Sequence, residues 1–348
     1  MKKLVFGAVY FSLHIMLAHN VYAEAEPLSV VLTPPKYPVP STVSAEAQIL
    51  LGRDIVQASQ FDLPQTTEQW RTFIDARNAE ASHHVANTLA AFDVEIEKKT
   101  IAGVTVREVV PSDSERIVEG VALLNVHGGG YTMMAGDLSV FEAAAAAGTG
   151  GFRVYAVDYR MPPEHPFPAA VDDALAVYKA LLDRYPANKI GIFGSSAGGG
   201  LAAAVTLAAR EQGLPLPGAV GLNTPWSDLT KTGDSYFSND GVDPVLTSYD
   251  GSLGARARLY AGKRDLKEPL LSPIYADYSL GFPPTFLLSG TRDLFLSNTV
   301  HEHRALRRAG IDAELHVFEA MWHGFGGPEG MEAQRELARF FTERLVGQ

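Results

Sequence analysis

Two serines sit side by side where an apolar run stops, in "IGIFGSSAGGG" over residues 190–200. A serine on a sharp strand-to-helix turn needs small residues two positions away on each side, so that the chain can fold back on itself. Ser196 has Gly194 and Gly198 at that spacing, whereas Ser195 has Phe193 and Ala197. Ser196 also opens a helix, whose partly positive N-terminus favours a developing anion. A serine hydroxyl is a weak nucleophile until a base takes its proton. The histidines after Ser196 are His301, His303, His316 and His323. "HEH" (His301, His303) falls on a helical segment, where i and i+2 point apart, so neither metal binding nor shared catalysis is expected. His316 lies inside the strand-like "AELHVF" and reads as structural. His323, in "EAMWHGFGG", follows that strand on a glycine-rich loop able to carry an imidazole back over the turn. A carboxylate to orient the imidazole is expected after the preceding strand. Asp293, three residues beyond Gly290 in "TFLLSGTRD", fits that place; Asp265 and Asp277 are weaker candidates. A helix N-cap is the competing reading of Asp293.

Attack on a carbonyl leaves an oxyanion that needs donors. "LNVHGGGY" offers three glycines whose bare backbone N–H groups can approach a ligand closely. With the N–H of Ala197 they would form an oxyanion hole, and His127 would brace the loop. Neither GxGxxG nor Gly-Lys-Ser/Thr occurs there, which argues against a phosphate loop.

These segments require a sheet to position them. "VEIEKKTIAGVTVREVV" alternates apolar and polar, as half-buried antiparallel strands do. From residue 121 onward "VALLNV", "FRVYAV", "KIGIF", "GAVGL" and "TFLLSG" are continuously apolar, with helical segments at 139–147, 169–182, 197–210 and 298–309 between them. Strands buried on both faces and alternating with helices predict an α/β fold with a parallel sheet. "AELHVF" and a closing helix with Leu337, Phe340, Phe341 and Leu345 finish the chain. Residues 226–276 break the rhythm and read as a cap insertion. Together with two helical patterns within residues 24–92 they would cover one end of the sheet, and Trp226 and Tyr131 are candidate pocket walls. "TPPKYPVP" reads as an extended linker.

The chain has 348 residues, 46% of them hydrophobic, with a formal net charge of −11. No Lys/Arg block could follow a phosphate backbone, so nucleic acid is not an expected partner. Without cysteine, disulfides, thiolate catalysis and Cys-based metal sites are excluded. Residues 1–23, a basic "MKK", a short apolar stretch and "VYA", read as a cleavable signal peptide. The expected location is then periplasmic or secreted, in a bacterium, with no stable membrane association after cleavage at Ala23. A homo-oligomer is compatible with the sequence.

Taken in order, "HGGGY", "VDYRMPPEHPFPAAVDDA", "GSSAGG", "SGTRD" and "WHGF" resemble the hormone-sensitive-lipase-like group of α/β-hydrolases, over roughly residues 93–348. The resemblance implies an eight-stranded, mostly parallel sheet flanked by helices, with a helical cap. It implies Ser196 as nucleophile, Asp293 and His323 as its partners, and Gly129, Gly130 and Ala197 as oxyanion donors. Two departures stand out: Ser195 replaces the Asp or Thr of many relatives, and Ser297 replaces a second acidic residue. The expected activity is hydrolysis of short to medium carboxylic esters through an acyl-enzyme, needing no metal or organic cofactor. The alternatives are a lactone hydrolase or amidase with the same triad, and a non-catalytic small-molecule receptor on the same fold.

Overall fold

A computed structural model describes residues 32–33, 36–56 and 63–347. The proposed signal peptide and part of the proline-rich linker lie outside them. The six apolar segments form parallel strands β5 (Ala122–Val126), β6 (Arg153–Val157), β7 (Ile190–Ser195), β8 (Ala219–Asn223), β9 (Thr285–Gly290) and β10 (Ala313–Phe318). They follow a short ladder of β1 (Leu32–Thr33) with β2 (Ile55–Val56), and the hairpin β3 (Val94–Ile101) and β4 (Val104–Pro111). The main sheet has eight strands in the order β10-β9-β8-β7-β5-β6-β4-β3, antiparallel only at β6–β4 and β4–β3. Every residue of β5, β8 and β9 is buried, which is why these segments carry no polar alternation. At the far edge β3 exposes Glu95, Glu97 and Lys98, charges that keep another strand from pairing there.

Helices cover both faces. Ala122, Leu124 and Val126 point into the core shared with α4 (Ala169–Leu182) and α5 (Ala197–Glu211). The intervening Leu123 points to the other core, beneath α3 (Phe141–Gly150) and α9 (Gly327–Phe341). This is the period-two alternation of a strand read out as two layers. The helix expected over 298–309 is α8 (Leu296–Arg308).

Before the sheet come α1 (Ala45–Leu51) and α2 (Thr67–Ala91); a capping box of Thr66 and Gln69 starts α2. The segment ahead of α1 runs along the loops that follow β9 and β10. Arg292 donates to the Pro38 carbonyl (2.7 Å), the Thr42 hydroxyl to Glu319 (2.8 Å), and Ser44 gives both its N–H and its hydroxyl to Glu329 (2.7 and 2.8 Å). The 226–276 insertion contains α6 (Ser235–Ser238) and α7 (Ser252–Ala261). Both α2 and α7 border the loop after β5: Asn78 of α2 accepts from the Met134 N–H (2.8 Å), and Tyr260 of α7 stacks on Tyr131 at 3.8 Å. Among the described residues no helix is long and apolar enough to cross a membrane.

Candidate active site

Strand β7 ends at Ser195 and α5 begins at Ala197, so Ser196 alone makes the turn, at φ 59° and ψ −125°. A non-glycine residue held at positive φ is strained, and such strain persists only where the surroundings enforce it. Those surroundings are visible. A Cβ on either Gly194 or Gly198 would collide with the Val126 carbonyl, so both positions must be glycine for the turn to sit against β5. The Ser196 N–H donates to the Asn223 carbonyl (2.9 Å), and the Ser196 carbonyl accepts from the Trp226 N–H (2.8 Å). Ser195 pairs in register with Asn223 on β8, and Asn223 with Leu288 on β9. The turn therefore shares one sheet edge with the ends of β8 and β9.

Asp293 and His323 arrive at the same edge on the loops after β9 and β10. Asp293 is fully buried, and its Oδ1 accepts from His323 Nδ1 at 3.2 Å and from the Phe295 N–H at 2.9 Å. Its Oδ2 accepts from the Ser289 hydroxyl at 2.7 Å. A carboxylate on Nδ1 assigns the proton to that nitrogen and leaves Nε2 as the basic atom. The bond from the Phe295 N–H makes Asp293 a turn-former just ahead of α8, whose N-cap position is Phe295 and not Asp293. The Phe295 ring lies edge-on to the imidazole at 4.9 Å. Among the described residues no hydrogen bond to the Ser196 hydroxyl is formed; such contacts commonly tighten only around a substrate.

The loop after β5 closes the arrangement. Gly129 and Gly130 have φ of 108° and 62°, values that glycine adopts freely, and Tyr131 follows at φ 60°. A Cβ on Gly128 would lie 2.9 Å from the Ser195 carbonyl oxygen and 3.4 Å from Ser196 Cβ, so this loop abuts the turn directly. The N–H groups of Gly129 and Gly130 make no internal hydrogen bond among the described residues. That of Ala197, first in α5, has no intrahelical partner. His127 stacks on Tyr159 at 4.2 Å and its carbonyl accepts from the Tyr159 hydroxyl (2.7 Å). Burial pushes its imidazole down to about 4, so it is neutral and braces the loop.

Two buried acids escaped sequence reasoning. Glu142, in the alanine run of α3, accepts from the Gly128 N–H (2.9 Å), the Ser195 N–H (3.0 Å) and Asn125 Nδ2 (3.2 Å). It thus ties the glycine loop to the serine turn. Burial pushes its carboxyl up to about 7, against the pull of those donors. Asp243 accepts from the backbone N–H groups of Leu294 (2.9 Å) and His323 (3.2 Å) through Oδ2, and of Val245 (2.8 Å) and Leu246 (3.1 Å) through Oδ1. Burial first, then the charge of Asp293, pushes it up to about 6. A lone acid in "FEAAAAAG" looks like a helix-surface residue; only the tertiary fold turns it inward.

Other expectations need adjusting. Trp226 is fully buried, stacked on Phe295 at 5.5 Å, so it fills the core under the turn and offers no face to a pocket. Tyr131, at 1% exposure, is likewise enclosed between Trp226 and Tyr260. Ser297 exchanges reciprocal hydrogen bonds with Ser235, at 2.8 and 2.9 Å, which fastens α8 to α6. Asp265 and Asp277 cap local turns through the N–H groups of Lys267 and Ser279. His316 stacks on Phe286 at 4.5 Å. Among the described residues no cluster of potential metal ligands occurs.

A strained serine at a strand-to-helix turn and a carboxylate–imidazole pair on later loops of an eight-stranded sheet define an α/β-hydrolase. The family described as alpha/beta hydrolase fold matches residues 123–326. The chain belongs to that family, in its hormone-sensitive-lipase-like group of carboxylesterases. It is 34% identical over 236 residues to an acetyl-hydrolase of Streptomyces hygroscopicus, covering 66% of this chain and 78% of the relative. The crystal structure of an esterase E25 superposes with a TM-score of 0.82 at 38% identity, covering 90% of this chain and 98% of that one. An esterase from the bacterial hormone-sensitive lipase family gives 0.70 at 29% identity, covering 81% and 100%. The chain is an ester hydrolase of this fold.

Proposed function

We propose that the chain hydrolyses short to medium carboxylic esters through an acyl-enzyme on Ser196. The Ser196 oxygen adds to the ester carbonyl while His323 Nε2 takes its proton; Asp293 holds the imidazole and stabilises the imidazolium. The N–H groups of Gly129, Gly130 and Ala197 receive the carbonyl oxygen as it becomes negative. Collapse expels the alcohol, which leaves with the proton from His323. Water then adds to the acyl-enzyme with His323 again as base, and the acid departs as Ser196 recovers its proton. The observation carrying this reading is the buried Asp293–His323 pair at 3.2 Å on the sheet edge that also holds the strained Ser196. The helices α2 and α7 beside the glycine loop favour compact acyl groups over long lipid chains.

Ser196→Ala tests it. Hydrolysis of p-nitrophenyl butyrate should fall by about 10⁴-fold or more, with circular dichroism and melting temperature retained. Turnover equal to that of the unsubstituted enzyme would refute the proposal. A panel of linear esters, lactones and anilides decides among ester, lactone and amide hydrolysis.

A further inference from the structure

Arg256, on the face of α7 turned toward the glycine loop, is a cation with no counterion among the described residues. It makes no salt bridge or hydrogen bond among the described residues, and its Nε is buried with no partner. Its guanidinium carbon sits 5.4 Å from the centre of the Phe73 ring on α2, a ring that Arg77 approaches at the same 5.4 Å. Arg77 is held by Glu80 at 2.8 Å. On its other side Arg256 covers Gly130: a Cβ there would lie 3.0 Å from Arg256 Nη1 and 3.1 Å from its Cδ. Burial, with the charge of Arg77 adding, pushes its guanidinium down to about 10, still ionised at neutral pH.

A half-buried cation whose Nε is shut away from water and unpaired among the described residues is costly, and a chain with 40 acidic residues has carboxylates to spare. Elsewhere they are used. Arg107, which is buried, meets Asp137 (2.9 Å) and Asp158 (3.0 Å), and Arg160 forks onto Asp173 (2.8 Å). Of these three, Arg256 alone has no matching carboxylate among the described residues, and it lies against Gly130, one of the proposed oxyanion donors. A guanidinium fork is shaped for a carboxylate. The overall charge of −11 repels anions, so an anionic substrate needs such a local cation.

We propose that Arg256 binds a carboxylate of the substrate, making the preferred substrates esters that carry a negative charge. This inference rests on the ester-hydrolase reading above. It identifies a substrate class, monoanionic esters, and a specificity-determining residue that acts on binding and takes no part in proton transfer.

The test compares kcat/KM, by pH-stat at pH 7.5 and low salt, for matched charged and neutral esters. One arm sets monoethyl adipate against ethyl hexanoate, with the carboxylate on the acyl side. The other sets 6-acetoxyhexanoate against hexyl acetate, with it on the alcohol side. In at least one arm the charged ester should be preferred, and the charged-to-neutral ratio should drop about tenfold in Arg256→Gln, as expected for losing one charge-assisted pair worth ~1.4 kcal/mol. Arg256→Lys, which keeps the charge and loses the fork, should lie between, and 0.5 M salt should lower the ratio. Titration with a serine-directed phosphonate counts correctly folded sites in every preparation; should the Gln variant fail to fold, the Lys variant still reads the ratio. Neutral esters hydrolysed with no preference for charge in either arm, or a preference that survives Arg256→Gln, overturns the inference and leaves the ester-hydrolase reading standing. No hydrolysis of any ester by the unsubstituted enzyme overturns both.

Discussion

Glu142→Gln separates what a buried acid does for the fold from what it does for the site. In the native chain its two oxygens meet three donors, from Gly128, Ser195 and Asn125. An amide has one accepting oxygen, so in its better orientation at least one buried N–H is left facing an NH₂ group. That costs about 1–3 kcal/mol. The carboxylate, however, carries its own cost. Its folded pKa is raised from 4.5 to about 7, so between those values the folded chain holds a proton that the unfolded chain releases. Native stability from this group is therefore full below about pH 4.5 and declines as pH rises to about 7, by about 2–4 kcal/mol. Glutamine removes that decline. Urea denaturation should find the variant less stable than the native chain at pH 5, with the gap closing by pH 8. The glycine loop and the serine turn would nonetheless lose their shared anchor. A displacement of about 1 Å costs roughly 10²-fold in rate, so kcat at pH 8 should fall about 10–100-fold even where stability is equal. Parallel stability–pH curves for the two chains would refute the burial argument. Unchanged kcat would refute the anchoring role.

Three further substitutions report on other parts of the site. Asp293→Asn with its oxygen toward His323 and Phe295 turns an NH₂ to the Ser289 hydroxyl and removes the negative charge that stabilises the imidazolium, so kcat for p-nitrophenyl butyrate should drop by about 10³–10⁴-fold with KM little changed. Gly198→Ala drives a methyl into the Val126 carbonyl; the soluble yield and melting temperature should fall and phosphonate titration should count few competent sites. Asp243→Asn leaves two of four backbone donors facing an amide NH₂, so urea denaturation at pH 8 should show a loss of about 2–5 kcal/mol, and kcat should fall because the His323 N–H loses its acceptor.

What the sequence reveals here divides by the range of the physics involved. Elements set by local pattern and burial were legible: α4 spans the residues its apolar periodicity predicts, and β5, β8 and β9 read as unbroken apolar runs because both faces are covered. The Gly194-x-Ser196-x-Gly198 spacing was legible for the same reason, since a tight turn imposes small neighbours at fixed offsets. Glu142, Asp243 and Arg256 were not legible. Each owes its character to segments distant in sequence: Glu142 to Gly128 and Ser195, Asp243 to Leu294 and His323, Arg256 to Phe73 and Gly130. Trp226 fails in the opposite direction. A large aromatic at a strand end suggests a cavity wall, but its neighbours Phe295 and Tyr131 enclose it completely.

The strap of residues 36–44 gives the amino-terminal segment a stake in the chemistry. It is fastened to Arg292, Glu319 and Glu329, so it crosses immediately outside the loops that deliver the acid and the imidazole. Trimming the chain to the eight-stranded sheet and its helices would unclasp those loops while leaving every strand of that sheet in place. The result would be a folded protein with the loops of Asp293 and His323, the proposed catalytic edge, loosened, and affinity tags belong at the carboxyl end, away from the strap.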